Sequence, residues 1–170
     1  MGRGGSSKNM KDVIDDIKLF KSLHQKKIQN KLTEEDKDRW ETLKRKLEFD
    51  LYGQNYDKES DRREDIRIHN GWKAKYRIGD EILIDQAENI SSGGIFLKTK
   101  EPPPKETIIN LILFFDDIEK GIEVNAKVVW SIPKNGMGLK FIDLDKEKQD
   151  KINKLIYEML EKTALTKKNK

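Results

Sequence analysis

The hydrophobic period of this chain changes once, and that change limits its possible folds more than any other feature. From residue 8 to Tyr52 the apolar positions follow a helical rhythm: Val13, Ile17, Phe20 and His24, with Ile14 beside them and Leu23 and Ile28 extending the stripe. The stripe breaks at Asn30-Lys31-Leu32. Thr33-Glu34-Glu35-Asp36 then reads as an N-cap followed by acids suited to the positive end of a helix, and Trp40, Leu43 and Leu47 resume the pattern. Two helices on a short loop form an antiparallel hairpin. A hairpin of about 45 residues buries little apolar surface alone, so it is expected to pack on the rest of the chain, on another copy or on a partner.

Beyond the polar stretch Gly53-Gln54-Asn55-Tyr56-Asp57-Lys58-Glu59-Ser60 the period falls toward two. Strand-like passages cover residues 68–78, 81–88, 94–99, 108–115, 122–132 and 138–143, punctuated by Gly79-Asp80, the run Pro102-Pro103-Pro104, Asp116-Asp117 and Pro133-Lys134-Asn135-Gly136. Many short strands with strong turn signals predict an antiparallel barrel or sandwich. Residues 145–162 return to a helical pattern, with Ile152, Leu155, Ile156, Met159 and Leu160 on one side. The expected organisation is a leader at 1–7, a hairpin at 8–52, a linker at 53–60, a barrel with its C-terminal helix at 61–162, and a basic tail at 163–170.

Composition narrows the function. Of the 170 residues 35% are hydrophobic and 39% charged, so the core is modest. The 35 basic and 31 acidic residues nearly cancel, which argues against a general nucleic-acid binder. Without cysteine the chain has no disulfide, thiolate chemistry or cysteine-based zinc site. No apolar run is long enough to span a bilayer and the first residues lack the apolar region of a signal peptide, so a cytoplasmic protein is expected. His24 and His69 have no metal-binding spacing, and His24 lies on the apolar stripe, where packing explains it. No catalytic motif is present, the scattered carboxylates read mostly as solvated partners of lysines, and Trp72 and Trp130 read as core, so an enzyme is not expected.

Two polar clusters remain. Arg62-Arg63-Glu64-Asp65-Ile66-Arg67 supplies guanidinium forks, which pair bidentately with phosphate oxygens or guanine edges and stack on rings. Asn89-Ile90-Ser91-Ser92-Gly93-Gly94 supplies an amide, hydroxyls and a backbone without Cβ. The strand-like passage between them is suited to return the turn to the arginines. Arg63-x-x-x-Arg67 followed by Asn89-x-Ser91-x-x-Gly94 resembles the paired signature of the PilZ domain, the bacterial receptor module for cyclic di-GMP. The resemblance covers roughly residues 61–160. It includes Ala126-Lys127-Val128-Val129-Trp130 and Gly136-Met137-Gly138-Leu139-Lys140-Phe141, which are similar to later strands of that barrel.

The resemblance implies a mainly β, α+β protein: an antiparallel six-stranded PilZ-like barrel with a C-terminal helix, here preceded by a helical hairpin. It implies cyclic di-GMP as ligand and no other cofactor or metal. Arg62, Arg63 and Arg67 would hold phosphates and guanines, Asn89 a guanine edge, and Ser91 and Gly94 the floor of the site. Asn89 stands where many family members carry aspartate, and an amide oxygen still accepts from guanine N–H groups. An arginine at the position of Arg62 accompanies an intercalated ligand dimer. The expected output is a reorientation of the N-terminal helices toward an unidentified protein partner, in motility, biofilm or another pathway. The rival readings are a ligand-free PilZ-like adaptor and a nucleic-acid binder. Intact arginines with the Asn-x-Ser-x-x-Gly turn weigh against the first, and balanced charge against the second.

Overall fold

A computed structural model of the chain describes residues 9–54, 63–114 and 121–167. Helix α1, Met10–Ile28, starts at Asn9, whose side chain accepts a hydrogen bond from the Lys11 amide. Helix α2, Glu34–Tyr52, opens on a reciprocal cap: Thr33 Oγ1 accepts from the Asp36 amide at 3.1 Å and Asp36 Oδ2 from the Thr33 amide at 3.2 Å. Gly53, at φ 68°, ends it. Strands β1 (Ile68–Ile78), β2 (Glu81–Ile90), β3 (Gly94–Lys98), β4 (Ile108–Phe114), β5 (Ile122–Ile132) and β6 (Gly136–Ile142) follow. Helix α3, Lys146–Lys167, continues past the end expected at residue 162. Ala164 on its last turns is buried, and the Thr163 and Thr166 hydroxyls donate to the carbonyls of Met159 and Lys162 within the helix.

The chain divides into two compact units, Met1–Ile66 with Tyr157–Lys170, and Arg67–Ile156. In the first, Val13, Ile17, Phe20, Leu23, Trp40, Leu43 and Leu47 form the buried stripe read from the sequence and Leu51 extends it, whereas Ile28, expected on the stripe, is 50% exposed at the end of α1. Phe20 and Trp40 stack with ring centroids 4.6 Å apart, and His24 stacks on Trp40 at 5.3 Å. His24 is a packed residue, with Nδ1 in a short hydrogen bond to the Tyr157 hydroxyl. Burial is the main reason its pKa falls to about 4; nearby Asp65 opposes the shift and Lys27 adds to it.

The second unit is a closed six-stranded barrel in the order β1-β2-β3-β6-β5-β4, every neighbouring pair antiparallel. Closure gives every strand a neighbour on both sides over part of its length. Alternate residues point inward, among them Ala74, Tyr76, Leu97, Leu111, Val124 and Leu139, all buried. Three one-residue slips interrupt the alternation: in β1 between His69 and Trp72, in β2 between Ala87 and Asn89, and in β5 between Val128 and Trp130.

Candidate functional site

The Asn-x-Ser-x-x-Gly turn is built by its own backbone. The Ser91 amide donates to the Gly94 carbonyl at 2.9 Å, and the Gly93 amide donates to Ser91 Oγ at 3.3 Å. Two neighbours fix it further. The Phe141 amide of β6 donates to the Gly93 carbonyl, and Gln149 Nε2 of α3 donates to the Ser92 carbonyl at 3.2 Å and to Asn153 Oδ1 at 3.1 Å. Gly94 has an ordinary φ. Its glycine is required by packing, since a Cβ there would lie 2.3 Å from the Leu139 carbonyl oxygen of β6.

Register brings Arg67 to this turn. Ile68 pairs with Ile90 and His69 with Asn89, so Arg67, one residue earlier in β1's chain direction, stands beside the Ser91 end of β2. Arg67, Asn89 and Ser91 are all partly exposed. The slip in β2 is what turns Asn89 outward. Ala87 and Ile90 are both buried although three positions apart, so Glu88 is the extra residue and Asn89 faces away from the core.

The slip in β5 does the same for Trp130. The sequence reading assigned Trp130 to the core; instead it is 38% exposed, because Val129 is the extra residue and reverses the face. Trp72, by contrast, is buried as expected. One row of paired residues, Asn89–Phe96–Gly138–Trp130, therefore crosses β2, β3, β6 and β5. The Phe96 and Trp130 rings lie 5.0 Å apart at 31°, and the indole covers Gly138, where a Cβ would sit 2.0 Å from Trp130 Nε1. An amide, an aromatic pad, a guanidinium and a polar turn thus share one end of the barrel's outer surface. That set suits a planar, hydrogen-bonding, anionic molecule.

Arg63 has a different setting. It belongs to the helical unit, where Nη2 meets Glu48 Oε2 of α2 at 2.5 Å. Glu48 is wholly buried, and so is Lys44 one turn earlier, whose ammonium makes a short bond to the Arg63 carbonyl. The following residues are held too: Lys27 Nζ donates to the Glu64 carbonyl and pairs with Asp65 at 3.0 Å, and Trp40 Nε1 donates to the Glu64 carbonyl. Glu48 and Lys44 correct the view of this chain's carboxylates and lysines as solvated pairs. Their spacing from Trp40, i+4 and i+8, was the available signal that they share its buried face. Arg62 and residues 55–60 of the linker lie outside the described residues. Among the described residues there is no cluster of metal ligands, and no helix is long and apolar enough to cross a membrane.

A six-stranded antiparallel barrel carrying this turn and a C-terminal helix defines a class of small binding domain. Residues 61–158 match the family described as the PilZ domain, and the chain belongs to that family. A search of curated proteins gave no match. Among solved structures, the PilZ domain of YcgR from Escherichia coli with c-di-GMP is 17% identical, at TM-score 0.51, over 64% of this chain and 98% of that one. The K. pneumonia MrkH–c-di-GMP complex is 22% identical, at TM-score 0.50, over 64% and 56%. The Bacillus subtilis inhibitor of motility MotI/DgrA is 20% identical, at TM-score 0.46, over 60% and 54%. The chain thus spans little more than half the length of the last two.

Proposed function

We propose that this protein is a bacterial cytoplasmic receptor for cyclic di-GMP, a binding protein and not an enzyme. Membership of the PilZ family supports the reading, as do the YcgR and MrkH structures, which hold that dinucleotide. The observation that carries it is the convergence of Arg67 with the Asn89–Ser91–Gly94 turn at one end of the barrel. In this reading Arg62, Arg63 and Arg67 hold phosphates and guanines and Asn89 meets a guanine edge. Ser91 and Gly94 shape the floor, and the Phe96–Trp130 pad receives a base face.

The output follows from Arg63. The division between the two units falls between Ile66 and Arg67, inside the arginine motif. A ligand that takes Arg63 from Glu48 deprives a buried carboxylate of this ion pair, an unfavourable change. Helix α2 must then repack, and the helices would thereby relay occupancy to a protein partner. The same ion pair favours the second reading, a ligand-free adaptor in which Glu48 permanently occupies Arg63.

Calorimetry with cyclic di-GMP, GTP and single-stranded RNA separates these readings. Arg63→Ala and Arg67→Ala should each cost about 2–5 kcal/mol of cyclic di-GMP binding, roughly thirtyfold or more, with Lys75→Ala unchanged. Wild type should take up two ligands per chain, and Arg62→Ala one. Absence of uptake by wild type selects the adaptor; unchanged affinity in both arginine variants removes the site assignment.

A further inference from the structure

The opposite kind of surface occurs on β1, β2 and β4, where polar and apolar side chains alternate across strands. Register sets three parallel rows: Ile82–Arg77–Asn110, Ile84–Lys75–Ile112 and Gln86–Lys73–Phe114. Each row has a cation at its centre. Ile82 and Ile84 are 52% and 64% exposed, where the period of β2 leaves them no core to enter. Between the rows lies a hollow of about 170 Å³ lined by Lys75, Tyr76, Arg77, Ile82, Asn110 and Ile112.

Such a face is not explained by the fold. Lys73, Lys75 and Arg77 follow each other at every second residue of one strand, with side chains roughly 7 Å apart and mutually repelling. None forms an ion pair among the described residues. The nearest carboxylate across β4, Glu123, accepts from the Asn110 amide at 3.0 Å. Exposed isoleucines beside unpaired cations mark a surface that gains by being covered.

We infer that this face docks an amphipathic helix of a partner protein, with glutamates or aspartates flanking one large apolar side chain. The cations choose the partner's sign, and the hollow between Ile82 and Ile112 receives the apolar anchor. An added strand would use backbone groups and leave the hollow unfilled. A second copy packed face to face about a two-fold axis would set the cation column against itself. A flat anionic bilayer would meet the charges but leave the hollow unfilled. The inference goes beyond the ligand reading and stands independently of it, since none of these residues belongs to the proposed nucleotide site.

The test is an amide NMR titration of the full chain with a synthetic helical peptide bearing leucines on one face and glutamates on the other. Saturable shifts should map to residues 73–77, 82–84 and 110–112. A peptide with lysine in place of glutamate should not bind. A peptide with serine in place of leucine should bind about tenfold more weakly. Lys75→Glu with Arg77→Glu should abolish binding, and Ile84→Ser should weaken it about tenfold, with melting curves showing both variants folded. Shifts centred elsewhere, full binding by the charge-reversed variant, or equal binding of the lysine peptide each overturn the inference. Retention on phosphatidylglycerol vesicles without peptide binding also overturns it, in favour of a membrane.

Discussion

Glu48 is a fully buried carboxylate that pairs with Arg63, itself part of the proposed binding motif. If ligand competes for that guanidinium, removing the competitor should help the ligand. Glu48→Gln keeps an acceptor but not the charge, so the helical unit should lose about 1–3 kcal/mol of stability. Cyclic di-GMP affinity should rise severalfold in the same variant. A fall in affinity would mean that Glu48 instead braces Arg63 for the ligand. In the sequence Lys44 and Glu48 at i, i+4 look like an ordinary surface pair, and only their spacing from Trp40 signals burial. The motif residues were legible as chemistry, but the facing of Asn89 and Trp130 was not. Each faces outward because of a slip that exists only when a neighbouring strand is paired beside it. Gly94 was read as a backbone without Cβ at the floor of the site, and the nearest atom to its missing Cβ is the Leu139 carbonyl oxygen.

The elements themselves were legible because their periods are strong: a stripe every three or four residues for the helices, alternation with Gly and Pro punctuation for the strands. Their joints were less so. The β3–β6 pair depends on Gly94, and a carbonyl oxygen 2.3 Å from a new Cβ cannot rotate aside. Gly94→Ala should therefore cost the barrel about 2 kcal/mol, read by chemical denaturation. Gly79→Ala, with φ +59° and open space around it, should cost about 1 kcal/mol from backbone strain alone. Helix α1 carries a pH-sensitive element in His24, buried and held neutral. Its folded pKa of about 4 lies below the unfolded value of 6.5, so the unfolded chain takes up the proton first as pH falls. The stability contributed is complete above pH 6.5, declines as pH drops toward 4, and levels off below that. The full loss is about 3 kcal/mol. Urea unfolding between pH 7 and 5 should show the decline, and His24→Gln should flatten it at a lower baseline.

For the whole molecule, the consequential feature is that the arginine motif is shared between two units, with Arg63 in the helical one and Arg67 in the barrel. Sequence placed a linker ahead of the arginines and could not place a division inside them, because the residues after Arg63 are fixed by side chains far away in the chain. Trp40 reports on that fixation. It is 3% exposed, stacks on Phe20 and His24, lies under the Lys27 ammonium at 4.9 Å, and donates to the Glu64 carbonyl at 3.2 Å. Any displacement of Arg63 pulls on the next residue, and so on the carbonyl that accepts from the indole. A ligand shifts such an equilibrium only by its difference in affinity for the two arrangements, and in the proposed reading the Glu48–Arg63 pair, present in one and broken in the other, would supply that difference. With Trp72 and Trp130 replaced by Phe, saturating cyclic di-GMP should change Trp40 emission. Hydrogen exchange should change around residues 40–47 as well as at the barrel turn. Arg63→Ala should abolish the Trp40 response while Arg67 still supports weak binding. If calorimetry shows full occupancy and Trp40 stays silent, Arg63 keeps Glu48 in the bound state, and the helices hold the motif in place without reporting on it.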